Sequence, residues 1–191
     1  EPGGNAVRCV DATGLDAGSR LAIIGTGTIG LLVAMLARAR GIDVHLIAQD
    51  ESHRYFPESL GFNYVHTWQS VADATSSEPF AAVVDASTDE GVPERILDLV
   101  EPGGRLVFIG LAEVPSLIDT RRLVFADLTA VSILGAGYGL PHAISAFASG
   151  DVDPRPLIAA TVGLDEVGPV LSGWKPANAG PGPKIQVDPR Q

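Results

Sequence analysis

Residues 20–48, RLAIIGTGTIGLLVAMLARARGIDVHLIA, contain the pattern that decides the fold. LAIIG (21–25) and VHLIA (44–48) are short apolar runs of the kind that form strands buried on both faces. Between them, IGLLVAMLARAR (29–40) has the composition and length of a helix, and Gly41 follows it as a helix stop. The stretch therefore predicts a strand, a helix and a second strand parallel to the first.

Three glycines lie at the junction between the first strand and this helix. Gly25, Gly27 and Gly30 give the spacing GxGxxG. In this context the first glycine permits a tight turn, the second leaves room for a pyrophosphate, and the third lets the helix approach the strand. The N-terminus of the helix would supply free N–H groups to the phosphates. The pattern favours dinucleotide binding over a tight turn that binds another ligand or none.

The same alternation of strand-like and helix-like segments continues along the chain. Helices are predicted at 2–13, 52–60, 91–100 and 141–149, in addition to 29–40. Further strands are predicted at 63–66, 81–86, 105–110 and 129–134. The predicted fold class is α/β, a Rossmann-type, doubly wound, six-stranded parallel sheet with helices on both faces.

Composition excludes several classes of partner. The 191 residues carry a formal net charge of −10, which argues against nucleic-acid binding and against anionic membrane surfaces. The longest apolar run, LLVAMLA (31–37), is far shorter than a membrane span, and the first residues lack the apolar stretch of a secretory signal. The single cysteine, Cys9, excludes an intrachain disulfide. These features predict a soluble, cytoplasmic protein.

Cofactor choice depends on the residues that end the second strand. An acidic residue that binds the adenosine ribose is expected about 20 residues beyond the glycine motif. Ala48, Gln49 and Asp50 occupy this region, with Asp50 20 residues past Gly30. If Asp50 reaches the ribose, its carboxylate favours NAD. If Ala48 is the strand end, that carboxylate is absent and NADP becomes possible, with His53 and Arg54 as the nearby groups that could pair with its phosphate. Alternatively, Asp50 and Glu51 form a solvated first turn of the next helix.

The sequence lacks the residue patterns of several common catalytic sites. No tyrosine is followed four residues later by lysine, and no GxSxG turn is present. The four histidines are scattered without metal-ligand spacing. We therefore predict neither a catalytic nor a metal-ligating residue in this chain.

The order of motifs resembles that of the medium-chain dehydrogenase/reductase family, the zinc-type alcohol and polyol dehydrogenases. Seven segments carry the resemblance in the correct order: residues 1–41, LGFNYVHT (60–67), AAVVDAS (81–87), EPGGRLVFIGL (101–111), FASGDVDPRPLI (147–158), VGLDEVGPVL (162–171) and GPGPKIQVD (180–188). The resemblance implies that this chain is the C-terminal cofactor-binding domain only. It divides the chain into an entry helix and linker (1–19), a dinucleotide-binding domain (20–160) and a segment that returns to the catalytic domain (161–191).

Site residues also follow from the resemblance. Thr26, Thr28 and Ile29 would cradle the pyrophosphate. The ribose and nicotinamide would be lined by residues that follow later strands, namely Ala86, Ser87, Ile109, Gly110, Leu111, Ile133 and Leu134. Zinc would be held in the absent catalytic domain, and Glu1 would be a relic of that site. TVGL (161–164) and KIQV (184–187) should be frayed or borrow a neighbour's edge, and the strand near 129–134 should pair two copies into a homodimer.

The resemblance implies the NAD(P)-binding domain of a zinc-type alcohol or polyol dehydrogenase, inactive as an isolated chain. NAD is favoured over NADP. A non-catalytic nucleotide-sensing module that regulates a partner is the main alternative. A methyltransferase also places its cofactor on a glycine-rich first turn, but the second glycine and the six strands argue against it.

Overall fold

The computed structural model describes residues 1–75 and 78–191. Two compact units are present, residues 1–152 and residues 153–191. The first unit contains a six-stranded parallel sheet in the order β3-β2-β1-β4-β5-β6, and the second contains a two-stranded sheet, β7-β8. The strands are β1 (Arg20–Ile24), β2 (Asp43–Ala48), β3 (Tyr64–Thr67), β4 (Phe80–Asp85), β5 (Val100–Phe108), β6 (Thr129–Ser132), β7 (Ile158–Val162) and β8 (Lys184–Val187). The predicted fold class is confirmed.

Helices connect these strands. They are α1 (Pro2–Thr13), α2 (Thr28–Ala39), α3 (Tyr55–Ser59), α4 (Val71–Thr75), α5 (Val92–Arg95), α6 (Thr120–Phe125), α7 (Gly139–Ser149) and α8 (Val167–Leu171). Short 3-10 turns supplement them in the described residues, at Glu51–His53, Ile96–Asp98, Arg155–Leu157 and Leu164–Glu166. Within the described residues, no helix is both long and apolar enough to cross a membrane.

The strand order reverses between β1 and β4. The chain runs outward from β1 to β2 and β3, then returns to the other side of β1 and runs outward again through β4, β5 and β6. In open parallel sheets, ligands bind at the carboxyl ends of the strands, at this point of reversal. The fold thus places the glycine motif, which follows β1, at the centre of the ligand-binding edge.

Alternation along the central strands builds a core on each face of the sheet. Ala22, Val83 and Leu106 share one register across β1, β4 and β5, and all are buried against Val92 and Ile96 of the connection after β4. On the opposite face, Ile23 lies beneath α2, where a side chain at Gly30 would sit 3.6 Å from its Cγ2 atom. Successive strand residues point to opposite faces, so the apolar runs of the sequence serve both layers.

Some predicted boundaries are wrong. The helix predicted at 91–100 ends at Arg95 and continues only as the 3-10 turn Ile96–Asp98. Val100 already pairs with Phe80, so β5 begins five residues before the predicted strand at 105–110. The strand predicted at 129–134 ends at Ser132.

The second unit corrects another expectation. TVGL and KIQV were expected to be frayed or to borrow a neighbour's edge. Instead, β7 pairs in parallel with β8, with Thr161 opposite Gln186 and Val162 opposite Val187. Leu164 begins a 3-10 turn and is not part of the strand. Each strand thus pairs one of its edges with the other strand within this unit.

A buried histidine, His45, and a half-buried one, His66, lie side by side near the β3 edge of the sheet. His45 Nδ1 is 3.1 Å from His66 Nε2, so one ring must donate a proton and the other must accept it. His45 also stacks on Tyr64, with the ring centroids 4.4 Å apart. Burial lowers the pKa of both histidines, and the positive charge of Arg20 lowers both further.

We expect this pair to weaken the fold in mild acid. Because both folded-state pKa values lie below the ordinary value of 6.5, the unfolded chain binds these protons more readily. The free energy of unfolding should therefore fall as the pH drops below about 6.5, with a limiting slope of about 1.4 kcal/mol per pH unit for each histidine. Urea unfolding at several pH values measures this slope.

His45→Phe should flatten that pH dependence, because it removes one titrating ring and leaves His66 without its close neighbour. His142→Phe, at a histidine of α7 outside the pair, is the matched control. An unchanged slope in His45→Phe would contradict the assignment.

Candidate functional site

Backbone hydrogen bonds bring the loops after four strands to one edge of the sheet. The N–H of Gly25, after β1, donates to the carbonyl of Ile47, and that of Ala86, after β4, donates to Ile24 (both 3.0 Å). The N–H of Ile109, after β5, donates to Asp85 (3.0 Å). The N–H of Ile133, after β6, donates to Phe108 (2.9 Å). All residues predicted to bind the cofactor therefore lie on or beside this edge, although their contacts with a cofactor stay a prediction.

The three glycines of the motif differ in the space around them. Gly25 has a φ of +100°, a conformation that L side chains rarely adopt, and its Cβ would lie 3.0 Å from the Ala86 carbonyl oxygen. A Cβ at Gly30 would lie only 2.0 Å from the Gly25 carbonyl oxygen. A Cβ at Gly27 would meet no atom within 4 Å. Thus two glycines close the turn, and the third leaves an open space above it.

That space faces the start of a twelve-residue helix. Gly27 is the N-cap of α2, and no side chain caps the helix there. The first N–H groups of a helix have no partner within the helix, and they carry the positive end of the helix dipole. An open space beside uncapped N–H groups fits the pyrophosphate of a dinucleotide.

The end of β2 bears on the cofactor choice left open by the sequence. Ala48 is the last residue of the strand and is fully buried. Asp50 lies beyond it, caps the following 3-10 turn, and accepts hydrogen bonds from the Ser52 hydroxyl (2.6 Å) and from His53 Nδ1 (2.8 Å). These bonds, that from Ser52 first, lower the pKa of Asp50 to about 2. The carboxylate thus stays charged and caps the first turn of the next helical segment.

The two basic side chains next to Asp50 already have acidic partners. Arg54 forms ion pairs with Glu51 (2.8 Å) and Glu58 (3.0 Å), and these carboxylates raise its pKa. His53 contacts Asp50. Both groups that could have paired with an NADP phosphate are therefore held by acidic neighbours.

A buried carboxyl group that the sequence analysis did not single out lies at the end of β4. Asp85 is 4% exposed, and its Oδ1 accepts hydrogen bonds from the backbone N–H (2.9 Å) and hydroxyl (2.7 Å) of Ser87. Burial raises the pKa of Asp85. The bonds fix the turn at Ala86 and Ser87, and the Asp-Ala-Ser spacing at the end of a strand is the signal that could have shown it.

This turn packs directly against the loop after β5. A Cβ at Gly110 would lie 1.9 Å from the Ser87 carbonyl oxygen, so only glycine permits the two loops to approach. A cavity of about 320 Å³ opens beside them. Its lining residues are Asp85, Ser87, Asp89, Pro93, Phe108, Gly110, Ala112, Ser116, Ile118, Leu123 and Ala130.

Metal ligands are not grouped in the part of the chain that the structure describes. Within residues 1–75 and 78–191, no three histidine, cysteine or acidic side chains come together in a cluster that could hold a metal ion. The cavity walls offer apolar side chains, the hydroxyl groups of Ser87 and Ser116, and the carboxyl groups of Asp85 and Asp89.

Comparison with known proteins identifies the family. The family model described as zinc-binding dehydrogenase matches residues 28–149. This chain belongs to the zinc-binding dehydrogenase family. The match spans the glycine motif from Thr28 onward and all strands from β2 to β6, and it confirms the resemblance seen in the sequence. The chain corresponds to the cofactor-binding part of such enzymes.

Individual relatives support the same conclusion. L-threonine 3-dehydrogenase of Rhizobium johnstonii is 24% identical over 98% of this chain and 56% of its own length. The same enzyme from Bacillus licheniformis is 31% identical over 71% of this chain and 41% of its own length. A Sinorhizobium meliloti 1021 protein described as a zinc-binding dehydrogenase, solved with NADP, is 26% identical, with a TM-score of 0.86 over 99% of this chain and 58% of its own. The chain therefore spans about half the length of the curated relatives it matches.

Proposed function

We propose that this zinc-binding dehydrogenase chain binds a nicotinamide adenine dinucleotide along the carboxyl edge of its sheet and serves as the cofactor domain for oxidation of an alcohol or polyol. The observation that carries the proposal is the contrast among the three glycines. Gly25 and Gly30 have no room for a side chain, whereas Gly27 leaves an open space beside the uncapped start of α2. A purely structural turn has no need of that space, but a bound pyrophosphate does.

The chain's own residues would bind the cofactor in two halves. The backbone from Gly25 to Gly30 would hold the pyrophosphate, and the segment from Ala48 to Asp50 would lie beside the adenosine ribose. The loops after β4, β5 and β6 would line the nicotinamide half, because the second half of the sheet carries the second mononucleotide. When bound, the nicotinamide ring supplies the hydride acceptor or donor. In this proposal the chain positions that ring and contributes no acid, base or metal ligand, so the isolated chain does not turn over substrate.

We propose that NAD is preferred over NADP. Asp50 and Glu51 follow β2 and would place two carboxylates beside the 2′ position of the adenosine ribose. A 2′-phosphate there would meet repulsion that the paired Arg54 and His53 are poorly placed to offset. A 26% identical relative was solved with NADP, so the preference is tested directly by titration with both cofactors.

Three further proposals concern the protein as a whole. The zinc and most substrate contacts would belong to a catalytic domain, to which the segment 161–191 would return. Two copies would pair through β6, which is an edge strand with exposed residues. The protein would act in the cytoplasm.

Calorimetric titration of the chain with NADH, NADPH and S-adenosylmethionine tests the proposal. We expect NADH to bind at least about tenfold more tightly than NADPH, a difference of about 1.4 kcal/mol. S-adenosylmethionine should not bind.

Asp50→Asn is the matched variant, because it keeps an acceptor oxygen for the cap and removes the charge. It should improve NADPH binding and leave NADH binding nearly unchanged. Tighter binding of NADPH by the unsubstituted chain would reverse the cofactor assignment, and no binding of either dinucleotide would overturn the proposal. A nucleotide sensor would give the same titration, so dehydrogenase activity must be measured on a protein that also contains a catalytic domain.

A further inference from the structure

Arg8 of α1 reaches the loop that follows β6, 126 residues further along the chain. Its Nη1 donates hydrogen bonds to two successive backbone carbonyls, those of Leu134 (2.8 Å) and Gly135 (2.6 Å). The guanidinium also lies over the Tyr138 ring, 5.7 Å from its centroid. A single side chain thus holds both the start and the end of this loop.

The loop needs such a restraint because of its composition. Gly135 and Gly137 both have positive φ values, +74° and +45°. Glycine has the largest backbone freedom to lose, so a segment with two such residues is ordered only where other contacts hold it. Hydrogen bonds from a charged donor are among the stronger contacts available for this purpose.

Close packing brings α1 near enough for Arg8 to make these bonds. A Cβ at Gly4 would lie 2.5 Å from Ala136 Cβ, and a Cβ at Gly139 would lie 2.2 Å from the Gly4 carbonyl oxygen. Gly139 also lies beside the stem of Arg8, since its Cβ would be 3.1 Å from Arg8 Cγ. The glycines on α1 and at the start of α7 therefore set the distance from which Arg8 reaches the carbonyls.

We propose that Arg8 is a positioning residue that holds the 133–138 loop in the conformation that receives the nicotinamide half of the cofactor. This inference rests on the proposed function. The loop follows β6 at the carboxyl edge, and Ile133 is fixed to β5 by its N–H bond to Phe108. The pyrophosphate cradle follows β1, at the other side of the point where the strand order reverses. Arg8 thus acts on one half of the ligand and leaves the adenosine half to other residues.

The experiment compares two ligands that differ in the nicotinamide ring. NADH and ADP-ribose share the adenosine, the pyrophosphate and the second ribose, but ADP-ribose lacks the ring. Arg8→Met keeps much of the side-chain length and removes the donors. We expect it to weaken NADH binding about tenfold and to change ADP-ribose binding by less than about twofold. General damage to the domain would weaken both ligands equally.

Two further variants keep the test decisive. Arg40→Met is the matched control, because Arg40 also contacts α1, at Asp11 (2.6 Å), but lies away from the 133–138 loop, and it should change neither affinity. Arg8→Lys keeps the charge and can reach one carbonyl, so its loss of NADH affinity should be intermediate. If Arg8→Met does not fold, the comparison of NADH with ADP-ribose is made on Arg8→Lys.

The outcomes separate the two proposals. Suppose that the unsubstituted chain binds NADH, but the variants at Arg8 lose the same affinity for NADH as for ADP-ribose, or lose affinity for neither ligand. The positioning role is then overturned and the proposed function stands. If the unsubstituted chain binds neither NADH nor ADP-ribose, the proposed function fails and the inference fails with it.

Discussion

Gly30→Ala should lower the free energy of unfolding by about 3 kcal/mol, at the upper end of the range for overpacked sites. The new Cβ would lie 2.0 Å from the Gly25 carbonyl oxygen, far inside van der Waals contact. A flexible side chain could move aside, but this neighbour is backbone, and the Gly25 N–H is itself bonded to Ile47. The whole turn between β1 and α2 must therefore shift. Thermal unfolding followed by circular dichroism should show a melting temperature about 6–12 °C lower.

Gly168→Ala, in the second unit, is the control for this prediction. Its Cβ would meet no atom within 4 Å, so the same chemical change should leave the melting temperature unchanged or slightly higher, because alanine favours a helix more than glycine does. A Gly30→Ala protein as stable as the parent would mean that the helix can move away from the strand at little cost. The close approach of α2 to β1 would then not be the reason for glycine at this position.

The sheet could be predicted from sequence because its strands are continuous apolar runs. Leu21 to Ile24 and Ala82 to Val84 are buried from both sides, so their hydrophobicity alone marks them. The start of β5 could not be found in this way. Val100 pairs with Phe80, but the register then shifts before Arg105 pairs with Ala82, and the intervening Glu-Pro-Gly-Gly has the composition of a turn. Helices as short as α4 and α6 were also missed, because five or six residues do not show a helical period.

Some parts of the candidate site could likewise be predicted from the sequence, and others could not. The glycine motif has a local spacing, so its position at the start of a helix could be predicted. The cap formed by Asp50 is also local, but the sequence left it open against a ribose role, because both need a carboxylate just after β2. The bonds from Ser52 and His53 show that the cap is formed. The hydrogen bonds of Arg8 reach Leu134 and Gly135, which lie 126 and 127 positions further along the chain, so no local pattern could have indicated them.

Gly27→Ala should separate binding from stability at the same motif. Alanine is compatible with the backbone here, because φ is −77° and ψ is −174°, an extended conformation. The Cβ would meet no protein atom within 4 Å, so the melting temperature should change little, because alanine restricts the unfolded chain more than glycine does but is the poorer N-cap for α2. NADH affinity should nevertheless fall about 10- to 100-fold, or about 1.4–2.8 kcal/mol, because the methyl group enters the space proposed for the pyrophosphate.

Paired measurements of melting temperature and NADH affinity decide the roles of the two glycines. Gly30→Ala is expected to lose stability because its Cβ collides with the protein, and Gly27→Ala is expected to lose affinity because its Cβ would collide with the ligand. An unchanged NADH affinity in Gly27→Ala would place the pyrophosphate elsewhere on the edge and remove the main support for the proposed function. Gly27→Ala should weaken ADP-ribose binding as much as NADH binding, because both ligands contain the pyrophosphate. Arg8→Met should weaken only NADH binding, because the 133–138 loop is proposed to contact the nicotinamide half, and ADP-ribose lacks the nicotinamide ring.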